Sequence, residues 1–143
     1  MAESTSQRAS APPPATAGAL PSGFGAAMAR GLRCTCPRCG APGLFRRWLK
    51  PVDRCAACDM DWSLQRADDF PAYIAIIVTG HLLAPIMIAL ATDAALGPLG
   101  LAAVLFPSAI AMMLGLLQPA KGVVIALQWW HGMHGFVRER AGG

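Results

Sequence analysis

Charge is what this sequence has least of. Lys, Arg, Asp and Glu supply 14% of its 143 residues, against roughly 25% in an ordinary soluble domain, while 55% of the residues are hydrophobic. That imbalance excludes a typical water-soluble globule, and the length suits either one domain or a small module joined to a membrane segment. A net charge of +4, interrupted by long uncharged stretches, is too weak for a protein devoted to nucleic acid. Catalytic signatures are missing: there is no phosphate-binding glycine loop, no G-x-S-x-G and no helical H-E-x-x-H. A protein without enzymatic activity is therefore expected. No secretory leader is expected either, because Pro and Gly interrupt every apolar candidate near the N-terminus. The five cysteines lie too close together for a disulfide framework spread over the chain.

What is there falls into four segments. Residues 1–30 are dominated by Ala, Pro, Ser, Gly and Thr, including Pro12-Pro13-Pro14. That composition predicts a disordered tail, since it buries too little apolar surface to offset its ordering entropy. Residues 34–69 hold the cysteines, short turns and basic side chains, and a module this small needs a metal or disulfides to hold it together. Phe70 to Thr92 carries no formal charge and as a helix would reach about 35 Å, enough to cross a hydrocarbon core of about 30 Å. After a turn at Gly97-Pro98, Leu99 to Leu117 predicts a second crossing, with Pro85 and Pro107 bending the helices without breaking them. Residues 70–118 thus read as a transmembrane helical hairpin. Residues 119–143 read as a C-terminal interfacial helix and tail, with Val123, Val124, Leu127 and Trp130 on one face and the Trp129-Trp130 pair among lipid headgroups. The fold class expected is a membrane α-helical hairpin with a small N-terminal zinc-ribbon-like module. Nine basic residues precede the first span, three follow the second and the loop between them has none. The positive-inside rule then places both termini in the cytoplasm.

The strongest chemical motif is C-P-R-C-G at Cys36 to Gly40, followed by C-A-A-C-D at Cys55 to Asp59. Two Cys-x-x-Cys pairs at this spacing read as a metal site. Cys36, Cys39, Cys55 and Cys58 would close a tetrahedral Zn(II) centre, although iron takes the same ligand set. Gly40 and Asp59 suit the positive-φ position after each pair. Cys34, the odd cysteine, reads as a free thiol or as a soft-metal transfer ligand. His81 stands near the middle of the first span, where an ionisable group is costly. It either bonds across the hairpin, to Ser108 or a carbonyl freed by Pro107, or ligates haem with help from another chain. His131 and His134 are spaced to share a helix turn, but two histidines do not close a site. Cys34, His81, His131 and His134 are therefore the candidates for a second metal or haem, the basis of an alternative role in copper or haem handling. Between the cysteine pairs, L-F-R-R-W-L-K places Arg46, Arg47 and Lys50 among aromatic and aliphatic residues, a patch suited to lipid headgroups and less to RNA. Asp68-Asp69 is expected to cap the first span.

Taken together, C-P-R-C-G, L-F-R-R-W-L-K, D-R-C-A-A-C, A-D-D-F-P-A-Y, G-H-L-L-A-P and K-G-V-V-I-A-L-Q-W-W-H-G-M-H-G-F resemble the bacterial domain-of-unknown-function 983 family, over about Cys34 to Phe136. The resemblance implies a small inner-membrane protein with a zinc-ribbon-like segment, two spans and no established activity. Its four metal-binding cysteines would be Cys36, Cys39, Cys55 and Cys58. The frequent placement of the family's genes beside those for cytochrome c oxidase subunits and assembly factors implies a membrane-protein partner of that kind. The sequence departs from the family pattern at Phe70 and Asp59, where glycine is usual.

Overall fold

A computed structural model of the chain describes residues 18–92, 96–137 and 139. The elements run α1 (Phe24–Leu32), β1 (Phe45–Arg47), β2 (Lys50–Pro51), α2 (Phe70–Thr92) and α3 (Pro98–His131), with a short 3-10 turn at Met133–Gly135.

α2 begins where expected. The Asp69 carbonyl accepts from the amides of Ala72 and Tyr73, and Pro71 occupies the first turn, where a missing N–H costs nothing. α3 starts with Gly97 as N-cap and Pro98 in its first turn, and stops at Gly132, whose left-handed backbone (φ 67°) closes the helix end. Both helices are long and apolar enough to cross a membrane. Their most apolar stretches have mean hydropathies of 2.3 and 2.1, and only 11% of the first and none of the second is buried by protein. Within this chain neither stretch is therefore packed as a core helix.

Two expectations are corrected here. The second span and the interfacial helix are one continuous α3 of 34 residues, about 51 Å long. Pro119 withdraws only its own donor. The turns beyond it are held by burial, because Gly122, Val124, Ile125, Ala126, Gln128 and Trp129 are covered by protein. Trp129 is 1% exposed and so is a core residue, not a headgroup anchor. The second correction concerns the tail. Residues 24–30, expected to be disordered, form most of α1; residues 1–17 lie outside the described part. The small residues that suggested disorder are what let α1 approach α3. Ala27 is fully buried, and a Cβ at either Gly31 or Gly122 would collide with the other's carbonyl oxygen. This is small-residue packing with backbones in direct contact. α1 and α2 both pack on α3 and, among the described residues, not on each other.

Residues 34–69 form a ribbon of two knuckles and one hairpin, seated on the last turns of α3. Leu44, Trp62, Trp129 and Phe136 join the buried cysteines in a single core. Trp62 meets Trp129 edge-on at 6.4 Å between ring centroids and Phe136 at 5.7 Å. Gln128, 6% exposed, accepts a hydrogen bond from the Arg66 amide at 2.9 Å and donates to the Arg66 carbonyl. One side chain thus satisfies both backbone groups of the segment that leads into α2.

Gly122→Ala, which forces α1 off α3, is expected to cost about 1–3 kcal/mol and to open Arg30 and Arg33 to trypsin, as read by thermal unfolding and limited proteolysis in detergent. Gln128→Leu, which leaves the Arg66 amide and carbonyl unpaired, is expected to cost about 1–3 kcal/mol in the same unfolding measurement.

Candidate metal centre

The two knuckles are built alike, 19 positions apart. In the first, the Cys36 amide donates to the Ala41 carbonyl and the Gly40 amide to the Cys36 carbonyl, each at 2.8 Å. In the second, the Cys55 amide donates to Met60 at 3.0 Å and the Asp59 amide to Cys55 at 2.9 Å. A bridge closes each turn, Thr35 with Pro42 and Arg54 with Asp61. The residue after each pair has positive φ, 77° at Gly40 and 53° at Asp59. Aspartate tolerates that region better than most residues, and Arg54 pairs with Asp59 at 3.1 Å. The second knuckle therefore keeps the geometry of the first without a glycine.

The four sulfurs converge. Cys36, Cys39, Cys55 and Cys58 are all buried, with their Sγ atoms within 4.8 Å of one another. Cys36 and Cys58 stand 3.8 Å apart and Cys39 and Cys55 3.7 Å apart. A tetrahedron with metal–sulfur bonds of about 2.3 Å has edges of about 3.8 Å, so four cysteines are positioned to bind a metal ion and supply all its ligands. Burial pushes the Cys36 thiol far up, reinforced by charge repulsion from the other three cysteines. Burial likewise raises Cys58, to about 11, against the opposing pull of the Met60 amide and the Arg38 side chain. At Cys55 burial is again the largest influence, but the amides of Ala57 and Cys58 and the thiols of Cys36 and Cys58 outweigh it and lower the pKa. Four thiolates crowded this closely need a cation to be held together.

Neighbouring groups hold the cage in place, and sequence reasoning missed most of them. Arg30 of α1 donates to the carbonyls of Arg38 at 2.8 Å and Ala19 at 3.1 Å, and its own carbonyl accepts from the Thr35 hydroxyl at 2.9 Å. Arg38, inside the first knuckle, pairs with Glu139. Position within C-P-R-C-G was a signal for Arg38; nothing local marked Arg30, Gln128 or Glu139, which act across the fold.

The proposed second set of ligands is not brought together. Among the described residues, the four cysteines are the only group of three or more His, Cys, Asp or Glu side chains placed to hold a metal. Cys34 sits outside the cage with φ 58°, its thiol raised by burial and partly lowered by contact with the Gln118 side chain. His81 is exposed and bonds through Nδ1 to the Ile77 carbonyl of its own helix at 2.8 Å, while the Ser108 hydroxyl donates to Val104. The expected bond across the hairpin is therefore replaced by one within each helix, where the i−4 carbonyl offers a second lone pair within reach of the side chain. His131 ends α3 with its ring 6.0 Å from Phe24, and His134 is exposed in the turn beyond. Arg46, Arg47 and Lys50 are exposed on the β1–β2 hairpin around Trp48, 55% exposed, and Arg46 lies 3.8 Å from Asp53.

A family model described as a protein of unknown function, DUF983, matches residues 45–129. The chain belongs to the DUF983 family. The matched stretch takes in the second knuckle, all of α2 and α3 as far as Trp129, and stops short of the wider span suggested by the sequence motifs. The first cysteine pair and α1 precede it. No curated protein and no solved structure matches the chain. Phe70, where the resemblance implies glycine, is 55% exposed at the first position of α2.

Metal binding requires thiolates, so protons compete with the metal and retention is expected to fall as pH is lowered. Chelation should open the ribbon core and shift the fluorescence of Trp62 and Trp129 to the red; Cys39→Ser should show that emission before any chelator is added.

Proposed function

We propose that this DUF983 chain is a non-enzymatic accessory protein of the bacterial inner membrane, in which a structural Zn(II) centre stiffens a cytoplasmic scaffold that is presented to a membrane-complex partner. The single observation behind this reading is the closed, buried four-thiol cage seated on the extension of α3. Four protein ligands leave no open coordination position, which is the pattern of a structural zinc and not of a catalytic one. What supports a scaffold is the absence of slack between ribbon and hairpin: Gln128 grips Arg66, four residues before α2. What supports the cytoplasmic side is the basic excess before the first span. Assembly of a respiratory complex such as cytochrome c oxidase rests on the family resemblance, and membrane lipids complete the expected surroundings.

Affinity purification of the tagged chain from native membranes, with elemental analysis of the same sample, tests the reading. The expected result is one zinc per chain together with oxidase subunits or assembly factors. Iron or no metal at the cage would overturn the zinc centre. Absence of oxidase components, under conditions that retain known assembly complexes, would overturn the assembly role.

A further inference from the structure

Two antiparallel registers set a common level along α3. On one side Arg66 meets Gln128, and Gly80, Leu83 and Ala84 share an apolar cavity with Leu105, Phe106 and Ala109. The first turn of α2 therefore lies beside the stretch around Lys121. On another side Phe24 packs against Trp130 and His131, Gly31 meets Gly122, and Cys34 lies against Gln118. α1 thus runs down α3 toward the apolar part of the molecule, and its C-terminal turn reaches the level at which α2 begins.

The side chains at that level are suited to a bilayer surface. Leu32 is 56% exposed, Phe70 55% and Tyr73 62%. Arg33 is exposed and Lys121 half-buried, and neither has an ion pair among the described residues. Asp68 and Asp69, which lead into α2, form no ion pair with either cation among the described residues. Arg33 and Arg30 also offset the negative end of the α1 dipole, which would otherwise repel anions. The β1–β2 hairpin differs: among the described residues its strands pack on neither long helix, and Arg46 shares its charge with Asp53.

We infer that the end of α1 is a third membrane contact, docking on the anionic phospholipid headgroups of the ribbon-side leaflet, with Leu32 at the acyl boundary and Arg33 and Lys121 toward the phosphates. This rests on the reading that α2 and α3 span the bilayer. It moves the lipid-facing cations from the hairpin to α1 and α3. It also ties the metal module to the leaflet, since Arg30 in the last turn of α1 holds the first knuckle.

The full-length chain in neutral detergent, titrated with fluorescent phosphatidylglycerol against phosphatidylcholine, tests this. The wild type should prefer phosphatidylglycerol. Arg33→Gln and Lys121→Gln should each weaken that binding about fivefold, Arg33→Lys should preserve it, and the triple variant R46Q/R47Q/K50Q should bind like the wild type. No preference in the wild type, an undiminished preference in R33Q/K121Q, or a loss confined to the hairpin variant would overturn the inference. Should Arg33→Gln fail to fold, Lys121→Gln alone decides. Alkaline carbonate treatment of native membranes separates the two levels. Release of the chain defeats the spanning reading, whereas retention without a lipid preference defeats only the α1 contact.

Discussion

Four buried sulfurs drawn to within 4.8 Å of one another are the constraint on which the rest of this structure depends. Thiols packed so closely resist ionising together, and a divalent cation turns that repulsion into attraction. With the cage closed, each knuckle needs only two backbone hydrogen bonds and one positive-φ residue to hold its shape. The hairpin between the knuckles and the aromatic core beneath them then have a fixed frame. Without it, a ribbon whose regular strands total five residues has too little hydrophobic area to order itself.

α3 is the second organising element, because it belongs to two environments at once. Its first turns pack on α2 and leave the rest of their apolar surface open, and its last turns are buried among α1, the ribbon and the chain beyond Gly132. Trp129 faces Trp62, which in turn meets Phe136, while Trp130 approaches Phe24. Adjacent tryptophans on one helix thus serve two different packing partners. The same helix therefore carries both the membrane-length hairpin and the four-cysteine module, and runs unbroken through Pro119.

Local chemistry was legible wherever a residue's role depends on its near neighbours. The Cys-x-x-Cys pairs, the positive-φ positions at Gly40 and Asp59, the start of α2 at Phe70 and the proline-tolerant apolar helices all follow from short-range spacing and hydropathy. Roles that depend on distant surfaces were not legible. Gly31 and Gly122 are separated by ninety-one positions, and each reads alone as a helix-weakening residue. Arg30 and Gln128 act on backbone groups of other segments, for which no sequence pattern exists. The small residues of the N-terminal region look like disorder until a second glycine surface is placed against them.

By itself the sequence determined the four cysteines positioned to bind a metal ion and the two apolar helices, because a four-thiol set and an uncharged run of membrane length each carry their physical meaning in composition and spacing. Only the tertiary structure decided that the interfacial segment continues α3, that α1 is a packed helix, and that Cys34 and the histidines stay apart. Those outcomes depend on which surfaces meet. Burial of Ile125 and Trp129 outweighs the hydrogen bond lost at Pro119, and no local pattern shows what will cover a helix once the chain has folded.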